Sequence, residues 1–440
     1  MLRRSLTVSV FTGLLFFGYF QISQAQKDGK VPDAQLHKPT PFPDRVILTW
    51  SGDPATSQAV TWRTDATVTA ALAEIAEAGD GPDFVKQAKK INARTEPLKT
   101  DLSLAHCHSV EFTGLNPGTM YAYRVGDGFN WSEWNQFRTA SAKPAPLEFI
   151  YVGDAQNDLY SLWSRLIRQA YSDAPKMRFI VHAGDLINRA ERDAEWGEWH
   201  QAAGWINRSV PSFPVPGNHE YGRQVEGKKA NTVNWRPQFT LPGNGVPGLE
   251  ETNYYIDIQG VRMIALNSNE RQQEQAEWLD KLLASNTQRW VIATFHHPIY
   301  SAARSRDNKA LREVWQPVFD KHAVDLVMTG HDHTYARTNL MTGVNAQTGK
   351  NGTVYVVSVS GPKMYGLDRN PTMQRSAEDT QLFQIVRVDG DMLSYQAHTA
   401  RGVLYDAFEL KKRSGKSNQL VNKVPNTPER RRGAEAKAAD

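Results

Sequence analysis

The stretch 179–186, with the sequence Phe-Ile-Val-His-Ala-Gly-Asp-Leu, constrains the fold more than any other part of the chain. It predicts an apolar strand that ends in a glycine and then presents the carboxylate of Asp185. Polar side chains follow four other apolar runs in the same way: Gly153-Asp154-Ala155-Gln156, Gly217-Asn218-His219-Glu220, His296-His297-Pro298 and Gly330-His331-Asp332-His333. Because open α/β sheets build their sites at the carboxyl ends of strands, we expect these side chains to lie close together.

The five strand ends offer carboxylate, amide oxygen and imidazole groups, and none offers a thiolate. That set suits Mn, Fe, Zn or Mg better than it suits a structural zinc site. Each motif alone also fits a purely structural interpretation: Gly-Asp after a strand is often only a turn, Asn218 can cap a turn, and His331 and His333 can be surface loop residues. Their ordered recurrence along one domain favours a metal centre.

The rest of the pattern predicts two folded domains. Short alternating strands separated by turns predict an all-β sandwich over residues 40–142. After a linker that contains Pro144 and Pro146, β and α elements alternate, which predicts a layered α/β domain over residues 146–410.

The two ends of the chain differ from these domains. Residues 1–25 read as a secretory signal peptide, with basic residues, an apolar run and then small residues before the cut. An uncleaved membrane anchor is the alternative, but the run is short for a span. We therefore expect a secreted or periplasmic protein with no transmembrane span after signal cleavage. Cys107 is the only cysteine, so an internal disulfide is excluded.

The net charge of +4 comes from the end of the chain. Residues 411–440 carry nine basic side chains against three acidic ones, and the body is slightly acidic. No nucleic-acid partner is therefore expected. The same segment contains prolines and few apolar residues, which predicts a basic disordered tail.

The ordered set of motifs resembles the calcineurin-like metallophosphoesterases over essentially all of residues 147–400. Within them the chain looks closest to the purple acid phosphatase type, whose β-sandwich is similar to a fibronectin type III domain. Three further stretches carry this resemblance, together with the preceding sandwich: Gly330-His331-Asp332-His333-Thr334-Tyr335-Ala336-Arg337, His296-His297-Pro298-Ile299-Tyr300 and Gly402-Val403-Leu404-Tyr405-Asp406-Ala407-Phe408-Glu409-Leu410. The resemblance implies a sandwich of two β-sheets flanked by helices, preceded by the all-β domain.

The family pattern also implies two divalent metal ions and assigns their ligands. The first metal would be held by Asp154 and His333, the second by Asn218, His296 and His331, and Asp185 would bridge the two. His219 would face the leaving group. His297 lies where the family varies, and it is interpreted as a neighbour of the ligands.

One position departs from the purple acid phosphatases, which place an iron-binding tyrosine three residues after the bridging aspartate. Here that residue is Asn188, so the iron–tyrosinate bond and its colour should be absent. Gln156 lies two residues after Asp154, where many metallophosphoesterases have a histidine ligand. Its amide oxygen can ligate a divalent ion, and the alternative is that Gln156 only hydrogen-bonds a ligand.

The implied chemistry is phosphoester hydrolysis. Two metal ions would acidify a bridging water to hydroxide, which would attack phosphorus while His219 stabilises or protonates the leaving oxygen. Side chains that flank the motifs and could clamp a small phosphoester are Arg304, Arg306, Arg337 and Tyr300.

The resulting prediction is an exported, acid phosphatase-like phosphomonoesterase. A phosphodiesterase or pyrophosphatase acting at the same site is the alternative within this class. From another class, a non-catalytic cell-surface binding protein would use the β-sandwich and keep the metal fold as a scaffold. The complete ligand set argues against that alternative, since a scaffold does not need every ligand.

Overall fold

A computed structural model describes residues 29–341, 352–368, 370–414 and 416–432. The predicted signal peptide, residues 1–25, lies outside these described residues. Among the helices in the described ranges, none is both long enough and apolar enough to cross a membrane.

The N-terminal domain consists of two four-stranded antiparallel sheets. With strands numbered in chain order, the first sheet has the order β1 (Asp44–Thr49), β2 (Ser57–Asp65), β6 (Leu104–Thr113), β5 (Arg94–Lys99). The second has the order β4 (Lys89–Asn92), β3 (Leu72–Glu77), β7 (Met120–Gly126), β8 (Asn135–Arg138). A short helix, α1 (Asp33–Leu36), precedes β1, and a 3₁₀ turn covers Pro82–Gln87.

Alternate residues of these strands form the core between the two sheets. Val60 and Trp62 of β2 are buried in the same apolar cluster as Val110 and Phe112 of β6. This period of two is the one at which strand side chains return to the same face. The all-β sandwich predicted for this part of the chain is confirmed.

The second domain contains two seven-stranded mixed sheets. The first has the order β11 (Ser212–Pro214), β10 (Ile180–His182), β9 (Leu147–Val152), β21 (Leu382–Asp389), β22 (Met392–Thr399), β23 (Leu404–Arg413), β24 (Lys416–Asn422). The second has the order β14 (Tyr254–Ile258), β15 (Val261–Ala265), β16 (Trp290–Thr294), β17 (Leu326–Thr329), β19 (Val354–Val357), β18 (Tyr335–Thr338), β20 (Met373–Ala377). A separate hairpin pairs β12 (Arg223–Val225) with β13 (Lys228–Ala230).

Helices cover the outer faces of both sheets. They are α2 (Ser164–Asp173), which a π-helical turn at Leu159–Trp163 precedes, α3 (Asp193–Ala203), α4 (Ile206–Ser209), α5 (Trp235–Gln238), α6 (Gln272–Ala284) and α7 (Lys309–His322). Along β16, Ile292 belongs to the large cluster that both sheets share, whereas Val291 and Ala293 pack with α6 and α7. The alternation shows that the second sheet lies between the other sheet and these two helices. The predicted sandwich of two sheets flanked by helices is confirmed.

A buried ion-pair group joins the two domains. Arg45 and Arg63 of the N-terminal sandwich contact the carboxylate of Asp193 in α3 at 2.6 and 3.1 Å, respectively. All three side chains are at most 5% exposed. Trp50 and Ile47 extend the apolar core across the same boundary. The sandwich is therefore packed against the α/β domain rather than tethered to it.

The structure corrects the predicted disordered tail over the described residues 411–414 and 416–432. β23 runs on to Arg413, and β24 pairs with it antiparallel. Further on, Arg430 forms a bridge with Ala377 of the edge strand β20, and Glu429 accepts a hydrogen bond from the amide of Ser376 at 2.8 Å. These described residues pair with two sheet edges through their backbone, and such pairing requires few apolar side chains.

Candidate metal centre

The parallel strands of both sheets end at one place, and the predicted ligands follow these ends. Asp154 and Gln156 come after β9, Asp185 after β10, Asn218 and His219 after β11, His296 after β16, and His331 and His333 after β17. The structure therefore brings together all seven predicted metal ligands and the predicted acid.

Small residues allow the turns to approach this closely. Gly184 has a φ of +84°, and a Cβ there would overlap the ring of His296 and the backbone of Gly217. A Cβ on Gly330 would overlap the carboxylate of Asp154. These contacts explain why glycine precedes the ligand in several of the motifs.

Four predicted ligands have left-handed backbone conformations. The φ angles are +47° at Asp154, +52° at Asp185, +73° at His331 and +47° at His333. For residues other than glycine such conformations cost of order 1–3 kcal/mol each, and they concentrate at functional sites. The fold thus holds these side chains in place at an energetic cost.

The second predicted metal position is a group of nitrogen and oxygen atoms that surround His296 Nε2. The Nδ1–H of His296 donates to the carbonyl of Ala183 at 2.9 Å, which leaves Nε2 without a proton in the neutral ring. This Nε2 lies 3.1 Å from Asn218 Oδ1, 3.1 Å from His331 Nδ1 and 3.2 Å from Asp185 Oδ2. Metal–ligand bonds of about 2.1 Å place neighbouring ligand atoms about 3.0 Å apart in an octahedral arrangement, so a divalent cation fits this set.

The first predicted position contains His333, Gln156 and Asp154. His333 donates from Nδ1 to the carbonyl of Lys363 at 3.1 Å, so its Nε2 is also without a proton in the neutral ring. The amide nitrogen of Gln156 donates to this Nε2 at 2.9 Å and to Asp185 Oδ2 at 3.1 Å. Among the described residues, no hydrogen-bond partner reaches the buried Oε1 of Gln156.

Asp185 lies between the two positions. Its Oδ2 faces His296 Nε2 at 3.2 Å on one side and the Gln156 amide at 3.1 Å on the other. Its Oδ1 accepts the backbone N–H of His219 at 2.9 Å. One carboxylate oxygen is therefore shared by both predicted ligand sets.

The pKa values at the centre show that its buried carboxylates retain positive charge in the form of protons. Burial raises the pKa of Asp154 well above its ordinary value, and the charge of Asp185 raises it further. Burial would lower the pKa of His296, but Asp185 and Asp154 outweigh burial and raise it to about 9. Burial likewise would raise the pKa of Asp185, but His296 outweighs burial and holds it below its ordinary range. The two buried carboxylates attract positive charge, which fits a metal centre.

Glu220 hydrogen-bonds the backbone of two turns that carry predicted ligands, and this role was not predicted from the sequence. Its carboxylate accepts the amides of Gly217 at 2.6 Å, Asp185 at 3.0 Å and Leu186 at 2.8 Å. These bonds fix two of the ligand-bearing turns relative to each other. Burial, followed by the charge of Asp185, raises the pKa of Glu220 to about 7. Its position directly after Asn218-His219 was the signal that could have identified it.

His219 lies at the rim of the centre. Its Nδ1 donates to the carbonyl of Asn188 at 2.5 Å, and its Nε2 lies 3.9 Å from Asp185 Oδ2. The side chain is 24% exposed, whereas His296 is fully buried. His219 is therefore oriented by the backbone and open to a ligand.

Two of the four predicted phosphate-binding residues have their polar groups in the protein interior and away from the candidate metal centre. This finding corrects that part of the prediction. Arg337 is completely buried and pairs with Asp406 at 2.6 Å. The hydroxyl of Tyr300 donates to Gln316, a buried residue of α7, at 2.9 Å. Neither side chain is available for a phosphate, because each polar end is engaged in the interior.

The other two predicted residues differ in their surroundings. Arg306 donates to the carbonyl of the predicted ligand His331 at 3.1 Å and lies 4.8 Å from the ring centroid of Tyr365. Arg304 is 70% exposed and lies 3.6 Å from Asp368. Arg306 is thus placed beside the centre, and Arg304 is a surface residue.

The segment that follows β19 supplies two groups that the sequence pattern did not indicate. The ring of Tyr365 packs edge-on against His333, with centroids 4.7 Å apart. The ammonium group of Lys363 lies 5.6 Å from the same tyrosine ring. Gly361, two residues before Lys363, was the signal that could have identified this segment, because a Cβ there would overlap the backbone of Asp154.

Two family models match the chain. Residues 43–139 match the purple acid phosphatase N-terminal domain, and residues 147–335 match the calcineurin-like phosphoesterases. The α/β domain therefore resembles the calcineurin-like phosphoesterase family over residues 147–335. This resemblance implies a dinuclear metal site, in agreement with the two neighbouring groups of donors.

Individual relatives agree with the family matches. The chain is 28% identical to purple acid phosphatase 15 of Arabidopsis thaliana over 58% of its own length and 53% of that protein. It is 26% identical to human acid phosphatase type 7 over 69% of its own length and 72% of that protein. The chain thus spans about half the length of the plant relative.

A solved structure shows the same fold. The purple acid phosphatase PPD1 from yellow lupin seeds superposes with a TM-score of 0.73 at 20% identity, covering 85% of this chain and 75% of that one. The arrangement of a β-sandwich before a two-sheet α/β domain is therefore shared with a purple acid phosphatase.

Proposed function

We propose that the protein is an exported, dinuclear-metal phosphohydrolase that acts on phosphomonoesters in the manner of an acid phosphatase. The observation that carries this proposal is the convergence of carboxylate, amide and imidazole donors around one shared oxygen of Asp185. The match of residues 147–335 to the calcineurin-like phosphoesterases and the similarity to acid phosphatases support the reaction class.

The metal ions would be divalent, with Mn, Fe, Zn and Mg as candidates. The first would be held by Asp154, Gln156, Asp185 and His333, and the second by Asp185, Asn218, His296 and His331. Two such ions supply positive charge for the phosphate oxygens and lower the pKa of a water molecule that they hold. Oxygen and imidazole donors without thiolate fit divalent ions of this kind.

His219 would protonate the leaving oxygen. Because its Nδ1–H is committed to the carbonyl of Asn188, its Nε2 is the atom that faces the centre. When the ring is protonated, Nε2–H is a donor whose direction is already fixed. General acids placed in this way contribute about 10²–10⁴-fold to a rate.

Phosphate oxygens that are not bound by the metal ions would contact two positively charged side chains, those of Arg306 and Lys363. Arg306 is held by the His331 carbonyl, and both Arg306 and Lys363 lie against the ring of Tyr365. The aromatic contact limits the freedom of two flexible side chains, so less entropy is lost when they bind a phosphate. In the proposed substrate site Arg306 is retained from the predicted set, and Lys363 takes the place of Arg337 and Tyr300.

The test is hydrolysis by the metal-saturated protein of a panel of phosphomonoesters, phosphodiesters and pyrophosphate. We expect the highest kcat/KM for monoesters, and preferred cleavage of diesters or pyrophosphate would favour the alternative substrates. Asp185→Asn should reduce both metal content and turnover, whereas Asp257→Asn, on the distant strand β14, should change neither. Absence of turnover across the whole panel by protein with two bound metals would favour the binding-protein hypothesis.

A further inference from the structure

His297 lies within the second group of donors, although it was interpreted only as a neighbour. Its ring centroid is 4.3 Å from that of His331 and 5.0 Å from that of His296. One ligand atom from each of these three histidines lies within 4.8 Å of the other two. A chain neighbour of a ligand usually points to the opposite side of an extended backbone, so this proximity requires an explanation.

A serine on a neighbouring strand end holds the ring in place. Ser268, which follows β15, has its Oγ 2.8 Å from His297 Nδ1. The same Oγ accepts the backbone N–H of His297 at 3.1 Å. Because Nδ1 is engaged by Ser268, Nε2 is the ring atom left for a ligand.

We propose that His297 Nε2 is a further ligand of the second metal position, and that Ser268 is its positioning residue. The inference rests on the metal centre of the proposed function and adds a donor to it. The Nδ1–H of His297 would donate to Ser268, just as His296 donates from Nδ1 to Ala183 and His333 donates to Lys363. Metal-binding histidines are oriented by such bonds from their second ring nitrogen.

The added ligand would change which metal the site prefers. With His296, His297 and His331 the second position would have three imidazoles, whereas the predicted set gives it two. Imidazole favours borderline ions such as Zn²⁺ and Co²⁺ over Mg²⁺, which prefers oxygen donors. The second position would therefore be a site for a borderline transition metal.

The experiment titrates Co²⁺ into the metal-free full chain in the absence of any phosphoester. Calorimetry measures the affinity, and visible absorption measures the d–d spectrum of the bound Co²⁺. The variants are His297→Ala, His297→Gln and Ser268→Ala. His322→Ala is the matched control, because His322 pairs with Asp280 on the surface of α7 and α6. The unfolding transition of each variant, measured by circular dichroism, establishes that it is folded.

We expect His297→Ala to weaken the second Co²⁺ equivalent by more than about 100-fold, since loss of an outer hydrogen-bond partner alone costs about 10–100-fold. Ser268→Ala should weaken the second Co²⁺ equivalent by about 10–100-fold. In His297→Ala the d–d absorption of the bound Co²⁺ should also shift. His322→Ala should match the wild type in both affinity and spectrum.

Proton NMR of the Co²⁺ form gives an independent count of the ligating rings. Each ligated histidine retains one exchangeable N–H that is strongly shifted by the metal. One signal is expected from each of His296, His297, His331 and His333, and the His297 signal should be lost in His297→Ala and in His297→Gln.

A different proton position would overturn the inference. If Ser268 donates its O–H to Nδ1, Nε2 carries the proton and cannot bind a metal. His297→Ala would then leave the second Co²⁺ affinity, the d–d spectrum and the count of shifted N–H signals unchanged. Since no turnover is measured, this failure is distinct from failure of the proposed hydrolysis.

Discussion

The pairing of Arg337 with Asp406 allows a stability role to be separated from a substrate role. Arg337 belongs to β18 of one seven-stranded sheet, and Asp406 belongs to β23 of the other. Their side chains form two parallel hydrogen bonds of 2.6 and 3.0 Å, and both are fully buried. Tyr335 donates to the same carboxylate at 2.6 Å. The pair therefore joins the two sheets inside the core.

Arg337→Met keeps much of the side-chain volume and leaves the Asp406 carboxylate without its cation. Removal of one partner from a buried ion pair costs about 3–5 kcal/mol, because the remaining charge is desolvated and unpaired. We expect the free energy of unfolding of the metal-saturated protein, measured with urea, to fall by about this amount. The KM of the folded protein should be unchanged.

Arg304→Met provides the matched control. Arg304 is 70% exposed and its partner Asp368 is 52% exposed, so loss of this pair should cost about 0–1 kcal/mol. The reasoning is refuted if Arg337→Met leaves the unfolding free energy unchanged and raises KM for phosphoesters. That result would restore Arg337 as a phosphate clamp.

Four further outcomes are expected. Burial raises the pKa of Glu251 from 4.5 to about 7. The protonated side chain therefore stabilises the fold below pH 4.5, and this contribution is lost as the pH rises to about 7. Glu251→Gln should remove that pH dependence of the unfolding free energy, measured with urea from pH 4 to 8. His219→Ala should lower kcat by about 10²–10⁴-fold with metal content unchanged, as determined by elemental analysis. Gln156→Ala should weaken binding of Mn²⁺ at the first position in calorimetry, and equal affinity would mean that the amide only hydrogen-bonds a ligand. The iron-loaded protein should lack a tyrosinate charge-transfer band in its visible spectrum, because Asn188 occupies the position of the tyrosine ligand.

The positions of the predicted ligands follow from the sequence because each depends on a local rule. An apolar run, a glycine and a polar side chain specify one strand end, and parallel pairing places several such ends at one edge. Asp154 and Asp185 follow two strands that are direct parallel neighbours. Their proximity therefore required only the sheet order as additional information.

The phosphate-binding residues could not be obtained in the same way. Position next to a motif does not determine on which side of the backbone a side chain lies. Tyr335 and Arg337 alternate along β18 and both reach Asp406, about seventy residues later in the chain. The alternation was visible in the sequence, but the partner on the other sheet was not.

Disorder was wrongly predicted for the described residues 411–414 and 416–432, because composition indicates how much apolar surface can be buried and does not indicate backbone pairing. β24 adds to the edge of one sheet through main-chain hydrogen bonds, and the segment at Arg430 bridges to the edge of the other. Paired edges are also protected from association with other chains. Low apolar content therefore did not prevent this segment from being ordered.

The metal centre combines several features that each destabilise the metal-free fold. Asp154 and Asp185 are buried close together, and both have left-handed backbone conformations. The ring nitrogens of His296 and His333 that face the centre are without protons in the neutral rings, because the other nitrogen donates to a carbonyl. A divalent cation would offset the burial of the two carboxylates, because it would attract them, and it would accept the nitrogen lone pairs. We therefore expect metal binding to be coupled to folding, so that a chelator should lower the midpoint of thermal unfolding as well as abolish turnover.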